Sequence, residues 1–456
     1  MMLKVGWSCT HYRSASCGRS NGEAKNRNRG EVETKALCRK WLEGQRGSLL
    51  PPARGSKRRR GDEPFGEDSL PDGARKRALM LVGKGLPQQA CGALIGKPPV
   101  APTPEIASEM RAKHPAARLD IDWACLRPLS AAAAATFDDE LVRKAVMNFP
   151  KDSGGGPSGL RPQHLKDALV PGFEDELVRQ LSAPTNLMAR GEAAQDVRSA
   201  MCGASLAALP KEEGDHRPIA VGEVLRRVVG KTLAEASKED ARSLLEPFQV
   251  GVGTGGGCEA VVHVVRKWLG IHVSDRRRVL AKIDLENAFN TLDRQEILAA
   301  ARKLMPSLGP WVDWTYGEES PLLFGQDTIS SQRGVQQGDP LGPLLFSLAL
   351  HRAVARVRLR APHECVGVLD FAVFYLDDGL VAGEAPAVNW FCCQLQQELE
   401  SMGLSVNLGK CTATPSAGTS TEVNPAIFEG WSGNTSRNLI PGCGCWRCCV
   451  QRGPRA

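Results

Sequence analysis

Aromatic residues and long apolar runs are both scarce in this sequence of 456 residues. Phe, Trp and Tyr together make up 5% of it. No stretch approaches the roughly 18 apolar residues of a membrane-spanning helix, so we expect no membrane partner. The N-terminal segment MMLKVGWSCTHYRSASC lacks the apolar core of a secretory signal. Signatures of serine hydrolases and cysteine proteases are absent, and no internal repeat indicates a solenoid.

Cysteine is present, but the pattern that a disulfide framework would need is missing. Fifteen cysteines without a signal peptide indicate reduced thiols in an intracellular protein. The last four are Cys443, Cys445, Cys448 and Cys449, which contain one CxxC pair. Because no second pair and no trailing histidine follow, we expect no complete zinc site within this sequence.

Composition divides the chain into four regions. Residues 1–77 are polar and basic, and a disordered region is predicted there. Their run Lys57–Arg60 is either a nuclear-localisation or nucleic-acid patch or a solvated charge run. Residues 78–135 form a helical, Pro-rich extension, residues 136–414 alternate between helical and extended patterns, and residues 415–456 form an irregular tail. This mixture predicts an α+β fold, and the net charge of +7 permits a polyanionic partner.

An acid stands directly after a short apolar run at VLAKID, which ends at Asp284. The run is typical of a buried strand. Asp284 would then lie at the edge of a sheet, where a ligand can bind. The alternative is that Asp284 only caps the helix that follows.

Two adjacent acids, Asp377 and Asp378, lie between apolar runs in FAVFYLDDGLVAG. Asp-Gly between such runs predicts a hairpin, so both acids could be turn residues and nothing more. The functional alternative is that the hairpin presents two carboxylates at its tip. Together with Asp284, they could hold two divalent cations about 3.5–4 Å apart, the arrangement used for in-line phosphoryl displacement.

Three further segments carry weaker signals. GVQQGDPLGP joins a turn to a helix, and its glycine at Gly338 allows close approach of the backbone to a ligand. LPKEEGDHRPI sets Lys211 and Arg217 around a turn that could fold over a triphosphate, or that is only an exposed charged hairpin. GVGTGGG satisfies GxGxxG from Gly251 to Gly256, but EPFQV before it is a poor strand, so no dinucleotide site is expected.

The order of these segments resembles the palm and fingers of reverse transcriptases, and is most similar to the enzymes of non-long-terminal-repeat retrotransposons. The resemblance spans residues 153–410 and rests on the YLDD hairpin, the QGDP turn and the DLENAF strand end together. It implies a right-hand polymerase fold. It also implies an RNA-directed DNA polymerase, a nucleotidyltransferase that uses an RNA template, a DNA primer and dNTPs.

The resemblance implies that two Mg²⁺ or Mn²⁺ ions are the cofactors. Asp284 and Asp377 would ligate both ions, with Asp378 beside them. Lys410 matches the lysine that assists the departure of pyrophosphate.

Other matched residues would bind or select the nucleotide. Lys211 and Arg217 match the finger residues that hold the triphosphate. Phe289 matches the bulky residue that blocks a ribose 2′-hydroxyl, and so selects deoxynucleotides by a steric clash. Gln337 and Gly338 match the turn that packs against the nascent base pair.

The chain ends soon after Lys410, which predicts a missing or truncated thumb. Neither an endonuclease nor an RNase H pattern is evident. The alternative hypothesis is therefore a catalytically inactive, truncated remnant that binds nucleic acid. An RNA-dependent RNA polymerase shares the palm, but Phe289 argues against it because that enzyme must admit the 2′-hydroxyl.

Overall fold

Our structure is a computed structural model that describes residues 72–83, 90–91, 94, 99–130, 134–150, 153–211 and 214–416. Most of the basic N-terminal region, including Lys57–Arg60, and the four C-terminal cysteines lie outside these residues. Helices and strands are mixed along the described part, which confirms the α+β prediction.

The helices are distributed along the whole described part. They are α1 (Asp72–Gly83), α2 (Pro104–Ala112), α3 (Asp139–Met147), α4 (Pro162–Ala168), α5 (Glu174–Ala189), α6 (Arg198–Cys202), α7 (Val224–Ala236), α8 (Lys238–Leu245), α9 (Gly257–Ile271), α10 (Ala288–Thr291), α11 (Arg294–Leu304), α12 (Gly309–Tyr316), α13 (Gly342–Glu364) and α14 (Ala385–Ser401). Within the described residues, none of them is long and apolar enough to cross a membrane.

The strands form two four-stranded sheets and one short pair. They are β1 (Ala204–Pro210), β2 (His216–Gly222), β3 (Arg278–Ile283), β4 (Leu285–Glu286), β5 (Ser320–Phe324), β6 (Asp327–Ser331), β7 (Leu369–Tyr375), β8 (Asp378–Glu384), β9 (Ser405–Val406) and β10 (Thr412–Pro415). The first sheet has the order β2-β1-β5-β6, with β1 and β5 parallel. The second has the order β10-β3-β8-β7, and β4 pairs with β9. Neighbours in the second sheet all run antiparallel.

The run VLAKI forms β3, as its apolar pattern predicts. Its side chains alternate between half-buried and buried, with Val279, Ala281 and Ile283 inside. Such alternation places one face of a strand against the core. The FAVFYLDDGLVAG hairpin is also confirmed, since β7 pairs with β8 through a two-residue turn of Leu376 and Asp377.

The glycine of the Asp-Gly pair has a different role from the one that the turn pattern predicts. Gly379 lies inside β8, paired with Ile283 on one side and Phe374 on the other. A Cβ atom at Gly379 would come within 2.5 Å of the Phe374 ring. Glycine is therefore required here so that an aromatic ring can pack across the strand.

The helix after the QGDP turn is more deeply buried than an amphipathic pattern predicts. Leu344, Leu345, Leu348 and Ala349 are buried as expected, but Gly342, Phe346, Ser347 and Leu350 are buried too. Helix α13 packs against α11 and α14, which bury most of its first half. A helix that is apolar all round is the kind found in the centre of a core.

Part of the Pro-rich extension packs on the first sheet. Ala107 and Met110 of α2 join a buried cluster with residues of β1, β2, β5 and β6. Thr103 caps α2, since its side-chain oxygen accepts a hydrogen bond from the N–H of Ile106 at 3.4 Å.

The described residues belong to two units. Residues 165–177 are one of them and comprise the end of α4, the start of α5 and the turn between them, in which the Phe173 N–H donates to the Val170 carbonyl at 3.0 Å. All other described residues belong to the second unit, which contains both four-stranded sheets and the candidate site.

Candidate active site

Three acidic residues lie at one edge of the second sheet. β3 and β8 are antiparallel, and their pairing ends with Ile283 opposite Gly379. Asp284 and Asp378 are the next residues outward on the two strands, and Asp377 belongs to the turn that precedes β8. Asp284 does not cap the following helix, because α10 begins at Ala288. The alternative that Asp284 only caps the following helix is therefore wrong.

The carboxylate of Asp377 lies in an unfavourable electrostatic environment. Burial raises its pKa above the ordinary value, and the negative charges of Asp378 and Asp284 raise it further, whereas Arg217 opposes the shift. Burial disfavours the charged form, and a like charge nearby adds to that cost.

Asp284 shares this environment. Burial raises its pKa, as does the charge of Asp378, while Lys282, Lys410 and Lys211 act in the opposite direction. Lys282 lies 3.7 Å from the carboxylate of Asp378, at ion-pair distance. The positive charges of three lysines therefore act on these partly buried acids.

The donor set fits a hard divalent cation. Mg²⁺ and Mn²⁺ take oxygen ligands such as carboxylates, and a cation between buried acids would offset their repulsion. In the described part of the chain, no three His, Cys, Asp or Glu side chains are arranged closely enough to hold a metal ion as they stand. What the three acids share is one edge of the sheet and one electrostatic environment.

The β1–β2 hairpin carries the two predicted cations. Lys211 follows β1, and its backbone N–H donates to the Asp215 carbonyl at 2.7 Å. Its ammonium group lies 3.2 Å from the Asp215 carboxylate. The positive charge of Lys211 acts on Asp284, and that of Arg217 acts on Asp377. The hairpin therefore brings both cations within electrostatic range of the carboxylate edge.

A third cation, Lys113, was missed because it lies in the Pro-rich extension. Its ammonium group pairs with Asp215 and donates to the His216 carbonyl. Glu109 lies 3.1 Å from the same ammonium group. No local signal marks Lys113, since these partners come together only when α2 packs on the first sheet.

Lys410 is brought to the site by the segment that follows β9. The backbone N–H of Asn407 donates to the Asp284 carbonyl at 2.8 Å, and that of Lys410 donates to the Asn407 carbonyl at 3.0 Å. The thiol of Cys411 accepts from the Asp284 N–H at 3.3 Å. The residues on both sides of Lys410 are thus tied to the end of β3.

The QGDP turn contacts the β1–β2 hairpin through its backbone. The Ala220 N–H donates to the Gln337 carbonyl at 2.7 Å. Gly338 has a φ of +133°, and a Cβ atom there would clash with the Ala220 carbonyl. Glycine at position 338 therefore allows the turn to approach the protein's own strand β2, whereas close approach to a ligand stays a prediction.

Behind this turn lies a buried charge network that the sequence did not reveal. Arg226 of α7 donates to Asp339 at 2.9 Å and to Tyr316 at 3.2 Å. Tyr316 also donates to Asp339 at 2.6 Å, and Gln336 donates to the Cys202 carbonyl at 2.9 Å. The side chains of Arg226 and Asp339 are 2% and 1% exposed. The buried ion pair between Arg226 and Asp339 therefore holds the QGDP turn against α7.

Phe289 lies in α10, five residues after Asp284. Its ring stacks on that of Phe346 in α13, with the ring centroids 4.7 Å apart. The Val335 N–H donates to the Phe289 carbonyl at 2.7 Å. Ring and backbone are therefore both held in place, so Phe289 has the rigidity that a steric block needs.

The glycine run that resembles GxGxxG has a structural role. It lies between the segment beside β7 and helix α9, so no βαβ unit surrounds it. Gly256 has a φ of +69° and precedes α9, and a Cβ atom at Gly257 would clash with the Val250 carbonyl. The run closes a tight loop before α9.

Comparison with known proteins identifies this region. Residues 209–424 match the family model described as reverse transcriptase (RNA-dependent DNA polymerase). All nine residues predicted for the site lie inside that segment. This match confirms the resemblance inferred from the motifs.

The similar curated proteins come from retrotransposable elements. One is the retrotransposable element SLACS 132 kDa protein of Trypanosoma brucei gambiense, 26% identical over 62% of this chain and 23% of the relative. Another is the Pol polyprotein of the type-2 element R2DM of Drosophila melanogaster, 27% identical over 44% of this chain and 20% of the relative. A third, from the type-1 element R2 of Nasonia vitripennis, is 25% identical. The chain thus spans less than a quarter of these relatives' length.

Among solved structures, the telomerase of Candida albicans in complex with a fragment of telomeric RNA aligns with a TM-score of 0.39 and 10% identity. The alignment covers 51% of this chain and 44% of that chain.

Proposed function

Because residues 209–424 of this chain belong to the reverse transcriptase family, we propose that the chain is an RNA-directed DNA polymerase of a non-long-terminal-repeat retrotransposon. It transfers a nucleotide from a dNTP to the 3′-hydroxyl of a DNA primer on an RNA template. The observation that carries this proposal is the meeting of Asp284, Asp377 and Asp378 at one sheet edge, within the electrostatic reach of Lys211 and Arg217. The second sheet is then the palm, and the β1–β2 hairpin belongs to the fingers.

The carboxylates would hold two Mg²⁺ or Mn²⁺ ions. Once bound, such ions activate an attacking hydroxyl and stabilise the charge on the leaving oxygen. Asp284 directly follows β3 and Asp377 belongs to the β7–β8 turn, so the pairing of β3 with β8 sets the distance between them. Asp378 stands beside them and remains paired with Lys282.

The cations act on the nucleotide. Arg217 suits bidentate contact with phosphate, and Lys211 acts as a point charge. Lys410 would donate a proton to the departing pyrophosphate. Phe289 closes the sugar side of the site, and the Gln337–Gly338 turn supports the new base pair.

Lys211→Ala is expected to raise the KM for dNTP about tenfold or more. A hydrogen bond to a charged group contributes about 1.5–3 kcal/mol, and each 1.4 kcal/mol is a factor of ten. The measurement is steady-state primer extension at varied dNTP. Lys303→Ala, at an exposed position of α11, serves as the control and should match the wild type. An unchanged KM in Lys211→Ala would remove this residue from the triphosphate site.

Phe289→Ala is expected to lower the preference for deoxynucleotides over ribonucleotides about 10- to 100-fold. The ring discriminates by occupying the space of a hydroxyl, and apolar pockets achieve about a hundredfold at most by such means. The measurement is kcat/KM for dNTP and rNTP on one primer–template. If the ratio does not change, the steric role of Phe289 is wrong.

The proposed function itself is tested by extension of a labelled DNA primer annealed to RNA. Template-dependent synthesis from dNTPs with Mg²⁺ is the expected result. Salt-sensitive RNA binding without extension would instead support a non-catalytic nucleic-acid-binding protein. Equal use of rNTPs by the wild type would support an RNA polymerase.

A further inference from the structure

Gln249, just before the glycine run, contacts the catalytic hairpin although it lies 127 residues upstream of it. Its side-chain carbonyl accepts from the Leu376 N–H at 2.8 Å, and its side-chain NH₂ donates to the Leu376 carbonyl at 3.0 Å. The same carbonyl also accepts from the Gly251 N–H at 3.0 Å. Gln249 is 3% exposed. A buried amide therefore satisfies both backbone groups of Leu376.

Leu376 needs such support because of its backbone conformation. Its φ is +57°, in the left-handed region that leucine rarely adopts. Asn287 is the other non-glycine residue with positive φ in the described part of the chain. Asparagine has a short polar side chain that favours this region, and leucine has none. Since Leu376 immediately precedes Asp377, its φ and ψ set the direction of the Asp377 carboxylate.

The segment around Gln249 is fixed against the hairpin on both sides of that side chain. The Phe374 N–H donates to the Phe248 carbonyl at 2.6 Å, and the Val250 N–H donates to the Phe374 carbonyl at 2.9 Å. On the far side, a Cβ atom at Gly251 would lie 2.7 Å from the Leu376 nitrogen. The position of Gln249 relative to the turn is thus set by backbone contacts.

We propose that Gln249 is a positioning residue, which holds Leu376 in the left-handed conformation and thereby aims Asp377 at the divalent cation. This role deepens the proposed function and rests on it. Gln249 touches neither the nucleotide nor the ion in this account. It acts through the peptide groups of Leu376. Because Gly251 has no Cβ atom, the segment around Gln249 can approach the Leu376 backbone closely.

The test compares Gln249→Met with the double variant Gln249→Met/Leu376→Asn in the full chain. Methionine keeps the length of the side chain and removes all three of its hydrogen bonds, two with Leu376 and one with Gly251. Loss of a group that orients a metal ligand costs about 10- to 100-fold in metal affinity or activity. We expect Gln249→Met to bind Mn²⁺ more weakly by that factor, measured by electron paramagnetic resonance. Its single-turnover extension rate should fall similarly, with primer–template affinity unchanged.

Leu376→Asn is expected to restore most of the Mn²⁺ affinity in the Gln249→Met background, because asparagine adopts positive φ without outside support. A residue that only packed the hairpin would not be rescued in this way. Gln397→Met, at an exposed position of α14, is the matched control and should bind Mn²⁺ as the wild type does. If Gln249→Met does not fold, Gln249→Asn replaces it, since its buried amide is one methylene too short to reach both peptide groups.

Mn²⁺ affinity equal to that of the wild type in the Gln249 variant, or no rescue by Leu376→Asn, would overturn the positioning role. A wild-type chain that binds Mn²⁺ but extends no primer would instead contradict the proposed polymerase function. The two failures are therefore distinguishable, because the Mn²⁺ titration does not depend on turnover.

Discussion

Asp377→Asn is expected to abolish primer extension and, at the same time, to stabilise the metal-free protein. The carboxylate is buried beside Asp378 and Asp284, which raises its pKa and makes its charged form unfavourable in the fold. A neutral amide of the same shape removes this repulsion. It also removes a ligand for the catalytic ion.

The loss of activity should be about a thousandfold or more, because a bound metal supplies several kcal/mol of transition-state stabilisation and about 4 kcal/mol is a factor of a thousand. Extension rates and thermal melting in EDTA are the two measurements. Asp120→Asn, in an exposed loop, should change neither. A variant that loses activity but melts at a lower temperature than the wild type would contradict the electrostatic account.

The same shift predicts how the stability of the metal-free protein depends on pH. Because the pKa of Asp377 is raised in the folded state, the folded protein takes up this proton at a higher pH than the unfolded chain does. Protonation of Asp377 therefore adds to the free energy of unfolding as the pH falls through that range. Asp377→Asn should lack this contribution, so its stability should gain less than that of the wild type as the pH falls.

Arg226→Met is expected to destabilise the protein by about 3–5 kcal/mol. It leaves Asp339 as a buried carboxylate without its cation, and breaking a buried ion pair from one side carries a cost of that size. The Tyr316 hydroxyl and the Leu341 N–H would remain as donors to Asp339, and both are neutral. Unfolding in urea measures the change in free energy.

Two comparisons test whether the cost comes from the unpaired charge. Arg226→Met/Asp339→Leu should recover part of the stability, because neither charge is then buried alone. Arg356→Met breaks a pair with Glu398 that is partly exposed to solvent, and should cost under about 1 kcal/mol. A double variant no more stable than Arg226→Met would show that the volume of Arg226 matters, and not its charge.

The local elements of the site could be predicted from the sequence because their signals are local. VLAKI marks β3 through its apolar run, and the LDDG stretch marks the hairpin. Antiparallel pairing then brings Asp284 and Asp378 to the same edge. The order of these motifs along the chain indicates the reverse transcriptase family.

What the sequence could not predict depends on contacts between distant residues. Gln249 and Leu376 are 127 residues apart, and Arg226 and Asp339 are 113 residues apart. A leucine with positive φ has no sequence signature, because its conformation is imposed by its neighbours. In the amphipathic helix α7, an arginine looks like a surface residue until the QGDP turn packs over it.

The most direct test of the polymerase assignment is a single-turnover experiment at saturating primer and RNA template. It compares the wild type with Asp284→Asn and measures the affinity for primer–template in the same samples. We expect Mg²⁺-dependent DNA synthesis by the wild type, and a rate about a thousandfold or more lower in the variant at unchanged affinity for primer–template. Equal extension by the two proteins, or binding by both without extension, would contradict it.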